Sequence, residues 1–309
     1  MNFAKNVNHF ISSANVVILS KGGGWMSFMA RRLTKQFKTQ NYKQTVAHSF
    51  LHPNQKVNIF KNNPDIGLIH HLNSGQLVTI DTSTAPKSQI LYFHGGAFRV
   101  PMNDDQLQMI RSIATQTESR LQIADFPLLP TYSSADMLNF ATSALQAVVA
   151  NGLPTFLVAD SAGAALAVQL LFRYPDKIAG TSLISPWLDF ELTDAQVVSR
   201  ATNDVMLDID VLRQIAAEFT DGLSNGQWLD VFSPSDSLTG SLQLFYGENE
   251  LLAPNDKKFA TTLTATTNMT IDVISFRDAF HDYILWDKLP ETKKTKKQIV
   301  TFTRDQRGA

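Results

Sequence analysis

The stretch PTFLVADSAGAAL, Pro154–Leu166, changes character in mid-course. Thr155 to Ala159 is a short apolar run suited to a buried strand. From Ala162 small and apolar residues follow without a break, and Ala162–Tyr174 reads as a helix. A serine on such a sharp strand-to-helix turn has its hydroxyl exposed at the carboxyl end of a parallel sheet. Small residues are needed two before and two after it, because the backbone is crowded there; Ala159 and Gly163 meet that need. A serine that merely caps a helix would sit in the same place, so Ser161 alone leaves nucleophile and N-cap both open.

The surroundings extend the pattern. Ile66–Leu72 and Gln76–Asp81 read as strands joined by a turn at Asn73-Ser74-Gly75, followed by the apolar strand Gln89–Phe93. Helical stretches at 104–118 and 134–150 then alternate with strands at Leu121–Ala124 and Thr155–Val158, and further strands follow at Gly180–Ile184, Leu242–Tyr246 and Met269–Ser275. Strands separated by helices of ten or more residues imply parallel βαβ units, and near-continuous apolar strands imply a sheet covered on both faces.

Two regions fall outside the alternation. Residues 1–50 place Trp25, Phe28, Met29, Leu33 and Phe37 at loosely helical spacing among basic residues, and Gly22–Gly24 reads as a break between helices. That glycine run lacks the preceding strand and following Lys-Ser/Thr of a phosphate loop. Residues 189–235 carry a helical stretch at Asp208–Phe219 and, with their flank, Trp187, Met206, Phe219, Trp228 and Phe232, which suits a lid. The expected organisation is an N-terminal helical cap segment, 1–50, and a core domain, 51–309, with the insertion at 189–235.

Composition narrows the chemistry. The 309 residues contain no cysteine, which excludes disulfides, thiolate catalysis and cysteine-based metal sites. The formal net charge of −1 gives no reason to expect a nucleic-acid partner. Lys293, Lys294, Lys296 and Lys297 are expected to form the solvated face of a C-terminal helix over 291–304. Near the N-terminus only Val16–Leu19 is continuously apolar, and no run is long enough to span a membrane. The expectation is a soluble, cytoplasmic protein without stable membrane association.

A second motif bears on Ser161. Tyr92-Phe93-His94-Gly95-Gly96-Ala97-Phe98 ends an earlier strand. Glycines allow a sharp loop whose amides face inward, as donors to a developing oxyanion must. Gly95 and Gly96, with Ala162 just after the serine, are the expected donors. His94 is expected to anchor this loop rather than act as a base.

These residues resemble the hormone-sensitive-lipase-like branch of the α/β hydrolases over most of the chain after about residue 85. His94-Gly95-Gly96-Ala97 looks like that family's oxyanion loop. Asp160-Ser161-Ala162-Gly163 looks like its serine elbow without the first glycine, and Ser185-Pro186-Trp187-Leu188-Asp189 is similar to a stretch found in its bacterial esterases. Asp125–Pro130 matches a family segment only in outline. The resemblance implies an α/β-hydrolase fold: a mostly parallel eight-stranded sheet flanked by helices, with a helical cap from the N-terminus and the insertion.

It also implies the order nucleophile, acid, histidine. His281 is the only histidine after Ser161 and would be the general base. The family's acid aligns with Glu250, where aspartate is commoner, and Glu248 is the alternative. The implied activity is hydrolysis of small to medium acyl esters through an acyl-enzyme, with no cofactor and no metal, by a homodimer. A peptidase on the same fold, or an inactive ligand-binding relative, are the other readings; the first would need paired acids on the lid, which are not evident, and the second would lack a triad member.

Overall fold

The computed structural model describes residues 27–61, 66–223 and 227–307. The strands are β1 (Ile69–Leu72), β2 (Gly75–Ile80), β3 (Ser88–Phe93), β4 (Ser119–Asp125), β5 (Thr155–Asp160), β6 (Gly180–Ile184), β7 (Thr239–Gly247) and β8 (Asn268–Phe276). They form one sheet in the order β1-β2-β4-β3-β5-β6-β7-β8. β2 pairs antiparallel with β1 and with β4, and every pair from β4 to β8 is parallel. The expected eight-stranded, mostly parallel sheet is therefore present. The hairpin turn is tighter than expected: Leu72 pairs with Gly75, so Asn73 and Ser74 make the turn and Gly75 belongs to β2.

The helices are α1 (Phe28–Thr39), α2 (Tyr42–Leu51), α3 (Asp104–Gln116), α4 (Ser134–Val149), α5 (Gly163–Arg173), α6 (Ala195–Arg200), α7 (Ile209–Asp221), α8 (Ala253–Thr266) and α9 (Pro290–Gln306). Their starts follow local chemistry. Asn103 and Ser133 cap α3 and α4, and in each case the third helical residue, Gln106 or Asp136, returns a bond to the cap backbone. Asp208 caps α7 through the amides of Asp210 and Val211. The stretch 22–24 and Trp25 lie outside the described residues.

Strand order decides where a site can form. The chain runs from β3 outward to β4, then crosses back over β3 to β5. The carboxyl ends of β3 and β5 therefore lie side by side at the reversal, where loops diverge and leave a crevice. Phe93 pairs with Ala159, so the loop after Phe93 and the turn at Ser161 leave the sheet as neighbours. β7 and β8 end together as well, with Gly247 opposite Phe276.

The insertion between β6 and β7 carries α6 and α7, and both it and the N-terminal helices reach that end of the sheet. Phe98, on the loop after β3, stacks on Phe219 of α7 with ring centres 4.1 Å apart. Arg99 forms an ion pair with Glu218. Gln55 Nε2 donates to the carbonyls of Arg99, at 2.9 Å, and Leu129, at 2.6 Å. Lys43 on α2 donates to the Ala201 carbonyl in the insertion.

One expectation for an exposed face changes, and one face left open is now assigned. Lys296 is buried and pairs with Asp287, and Lys294 lies over the Phe276 ring, so the lysines of α9 do not form one solvated face. On α1 the buried residues are Ala30 and Phe37, whereas Phe28 and Met29 point outward. Spacing in that region was too loose to assign the face.

Asp256 of α8 is fully buried, and neither carboxyl oxygen has a hydrogen-bond partner among the described residues. Burial pushes its pKa well above the usual carboxylate range, and the charges of Glu250 and Asp282 push it the same way. Its stabilising, protonated form is fully present below the range where an unfolded aspartate ionises. That contribution is lost as pH rises toward the raised folded value. Asp256→Asn is expected to raise stability by about 1–3 kcal/mol at pH 8 and less at pH 5. Thermal melts at the two pH values check this; an equal or reversed effect refutes it.

Candidate active site

The Ser161 turn depends on close backbone approach. Ser161 has φ 47°, the left-handed region that costs a non-glycine residue about 1–2 kcal/mol. Its amide donates to the Ile184 carbonyl at 3.0 Å, and its carbonyl accepts from the Trp187 amide at 3.0 Å. These bonds clamp it to the end of β6. A Cβ at Gly163 would lie 2.4 Å from the Phe93 carbonyl oxygen, so only glycine lets α5 start this close to β3.

Ser161 Oγ lies 2.9 Å from His281 Nε2, and His281 Nδ1 lies 2.9 Å from Glu250 Oε2. With Nδ1–H donating to the carboxylate, Nε2 is left to accept the serine hydroxyl proton. Glu250 is completely buried and also accepts from the Gly247 amide at 3.0 Å. A Cβ at Gly247 would meet the Ala279 carbonyl oxygen at 2.3 Å, so a glycine there lets the acid and histidine loops touch. Glu248 lies elsewhere: its carboxylate accepts from Ser275 Oγ at 2.7 Å. Burial raises the pKa of Glu250, with the bond and charge of His281 opposing.

The loop after β3 departs from expectation at one donor. The Gly95 amide donates to Asp160 Oδ2 at 2.9 Å, so it is engaged within the protein. Gly96 has φ 118° and Ala97 φ 52°, which turns the chain sharply just beyond it. The amides of Gly96, Ala97 and Ala162 donate to no acceptor among the described residues. The available donors are thus Gly96, Ala97 and Ala162 in place of Gly95, Gly96 and Ala162. Gly95 has a different reason to be glycine, since a Cβ would lie 2.5 Å from Asp160 Oδ2.

Asp160 directly precedes the serine. It is fully buried and accepts from Gly95 N–H, from Gln106 Nε2 at 2.9 Å and from the Tyr92 hydroxyl. His94 has its Nδ1 2.6 Å from the Gly95 carbonyl, and its ring stacks on Phe126 with centres 4.5 Å apart. It makes no contact with Ser161 among these bonds, which fits an anchor.

Two further acids escaped the sequence reading. Asp204, in the insertion, accepts the Leu251 amide at 2.6 Å and those of Met206 and Leu207. It thereby holds the loop bearing Glu250. Asp282 has φ 50°, which turns its carboxylate back so that Oδ2 lies 3.4 Å from His281 Nε2, the nitrogen that faces Ser161.

Burial depresses the pKa of His281, but Asp282 and Glu250 outweigh it and hold it raised, to about 9. A histidine acting as base must be neutral, so activity is expected to rise with pH into the alkaline range. Burial also raises the Asp282 carboxyl well above the usual carboxylate range, with the His281 charge opposing. Asp282→Asn removes the carboxylate nearest Nε2 and is expected to move the acid limb of kcat/KM to lower pH. An unmoved limb would show that Asp282 exerts no charge on His281.

Over residues 90–285 the chain matches a family described by its alpha/beta hydrolase fold. It belongs to the α/β hydrolase family. An esterase from Acinetobacter venetianus is 25% identical over 251 residues, covering 77% of this chain and 82% of that protein. The carboxylesterase/phospholipase LipF of Mycobacterium tuberculosis is 26% identical over 229 residues, covering 70% of this chain and 61% of that one. Among solved structures, an esterase of the bacterial hormone-sensitive lipase family superposes with a TM-score of 0.74 at 20% identity, covering 91% of this chain and 98% of that one. EstE5, from crystals soaked with p-nitrophenyl butyrate, gives the same TM-score at 20% identity, over 92% of this chain and 100% of that one. At these identities the structural likeness speaks for the fold.

Among the described residues no helix is long and apolar enough to cross a membrane, and no group of three or more His, Asp or Glu side chains could hold a metal ion.

Proposed function

We propose that this protein is a serine carboxylic-ester hydrolase acting on small to medium acyl esters. The observation that carries the reading is the relay in which His281 lies 2.9 Å from Ser161 on one side and 2.9 Å from Glu250 on the other. The esterase relatives support the substrate class.

In this mechanism His281 Nε2 takes the Ser161 proton as Oγ attacks the ester carbonyl. Glu250 keeps the histidine in the tautomer that can accept it and stabilises the imidazolium. Negative charge on the former carbonyl oxygen is met by the amides of Gly96, Ala97 and Ala162. His281 then protonates the departing alcohol. Water, deprotonated by the same nitrogen, hydrolyses the acyl-enzyme. The N-terminal helices and the 189–235 insertion act together as the cap. The rings of Phe98, Trp187, Phe190 and Phe219 occupy the space between the loop after β3 and the insertion; this suits a short acyl group.

Rapid mixing with p-nitrophenyl butyrate tests the acyl-enzyme. The expected result is a burst of p-nitrophenolate equal to the enzyme concentration, with a butyryl adduct on the peptide containing Ser161 after acid quench. Turnover with the adduct on another residue would overturn the assignment.

A further inference from the structure

The net charge of −1 hides a segregation along the chain. Residues 1–64 contain nine Lys and Arg and no Asp or Glu, leaving eighteen basic against twenty-eight acidic residues downstream. Within this basic stretch α1 is amphipathic. Ala30 and Phe37 face inward, and Phe37 packs on Tyr42, Phe280 and Trp286. On the opposite side Phe28, Arg31, Arg32 and Lys35 stand at i, i+3, i+4 and i+7, the spacing of one helix face. All four are exposed, as are Met29 and Lys38.

None of Arg31, Arg32, Lys35 and Lys38 has an acidic partner among the described residues. Phe28 is 80% exposed and Met29 49%. The helix start is tied down, because Ser27 donates to both carboxyl oxygens of Glu291 on α9. This face is therefore held outward by a fixed helix.

We propose that α1 docks the protein on an anionic lipid surface, its cations meeting lipid headgroups and Phe28 and Met29 entering the boundary between headgroups and acyl chains. A helix with basic residues on its polar face and large apolar groups beside them lies in the plane of such an interface. Each exposed cation adds attraction that fades within a Debye length. The acidic remainder of the chain is repelled by the same surface, so the charge segregation orients the molecule with α1 toward it. Nucleic acid would satisfy the cations equally well, but it gives no role to two exposed apolar side chains heading the stripe. Phe37, on the inner face of α1, touches Phe280, the neighbour of His281, so docking through α1 would bring the surface close to the candidate site.

The test uses the full chain and sedimentation with vesicles of phosphatidylcholine alone or mixed with phosphatidylglycerol, and reads no enzymatic activity. Binding is expected only to the mixed vesicles, weakening as salt rises. Arg31→Gln, Arg32→Gln and Lys35→Gln together should lower partition by about 100-fold. Phe28→Ser with Met29→Ser should weaken the binding that remains at higher salt. Lys293→Gln with Lys297→Gln, exposed charges on α9, should change it little. Thermal melts establish that each variant is folded. The proposal is overturned by absent binding, by equal binding to neutral vesicles, by an α9 variant as impaired as the α1 variant, or by a DNA duplex that displaces the protein from vesicles.

Discussion

Ser161→Ala is expected to lower kcat for p-nitrophenyl butyrate by about 10⁴–10⁶, leaving the fold intact. The hydroxyl removed is the group of Ser161 that hydrogen-bonds His281, while the turn is held by backbone bonds to Ile184 and Trp187 that alanine keeps. Alanine accepts the same positive φ at similar cost, so stability should change by no more than about 1 kcal/mol. His281→Ala should be nearly as damaging, and the double variant little worse than either single one, because the two groups act as a unit. The assay is initial rate at saturating ester, alongside a thermal melt. Rates equal to wild type in Ser161→Ala would end the serine-hydrolase reading. A double variant whose loss is the product of the singles would show that Ser161 and His281 work apart.

Much of this was readable from sequence because it depends on short-range spacing. The apolar runs of β3, β5 and β6 are buried on both faces, so burial rather than alternation marks them. Ser161 and His281 lie just beyond the ends of β5 and β8, and parallel strands deliver such ends to one place. What was not readable depends on backbone direction and distant partners. The Gly95 amide is engaged because Asp160, from the neighbouring strand end, takes its N–H, which is why the proposed donors include Ala97 and not Gly95. Asp282 reaches Nε2 only because its own φ is positive, a conformation its residue type permits but does not announce. Lys296 was expected in solvent, yet Asp287 at the helix entry draws it inward. Glu250 and Glu248 are two residues apart, and only the loop path between β7 and α8 sends one to His281 and the other to Ser275.

The second large effect is expected at Asp160, which touches none of the reacting atoms. Its carboxylate gathers Gly95 N–H, Gln106 Nε2 and the Tyr92 hydroxyl onto one buried group. Gly95 N–H and Gln106 Nε2 share Oδ2, while the Tyr92 hydroxyl meets Oδ1 and can also accept, so an asparagine could serve all three and alanine is the informative change. In Asp160→Ala the three groups lose their common buried partner. The loss falls on the strand end that aims Gly96 and Ala97. In the proposed mechanism those two amides point at an oxygen that carries charge only in the transition state, so a displaced loop costs kcat more than substrate binding. The expected result is a fall in kcat of about 10²–10³ with KM changed only a few-fold. Titration with a phosphonate that labels Ser161 counts the folded sites, so a drop in active-site concentration is separable from a drop in rate per site. A loss of less than tenfold per titrated site would mean that the loop after β3 keeps its aim without Asp160. Gln106→Ala provides the graded comparison. It removes one donor and leaves the Asp160–Gly95 bond in place, so its effect on kcat should be the smaller of the two. The ordering Asp160→Ala worse than Gln106→Ala follows only if Asp160 acts by holding the Gly95 amide, and a reversed order would place the support of the loop in α3 instead.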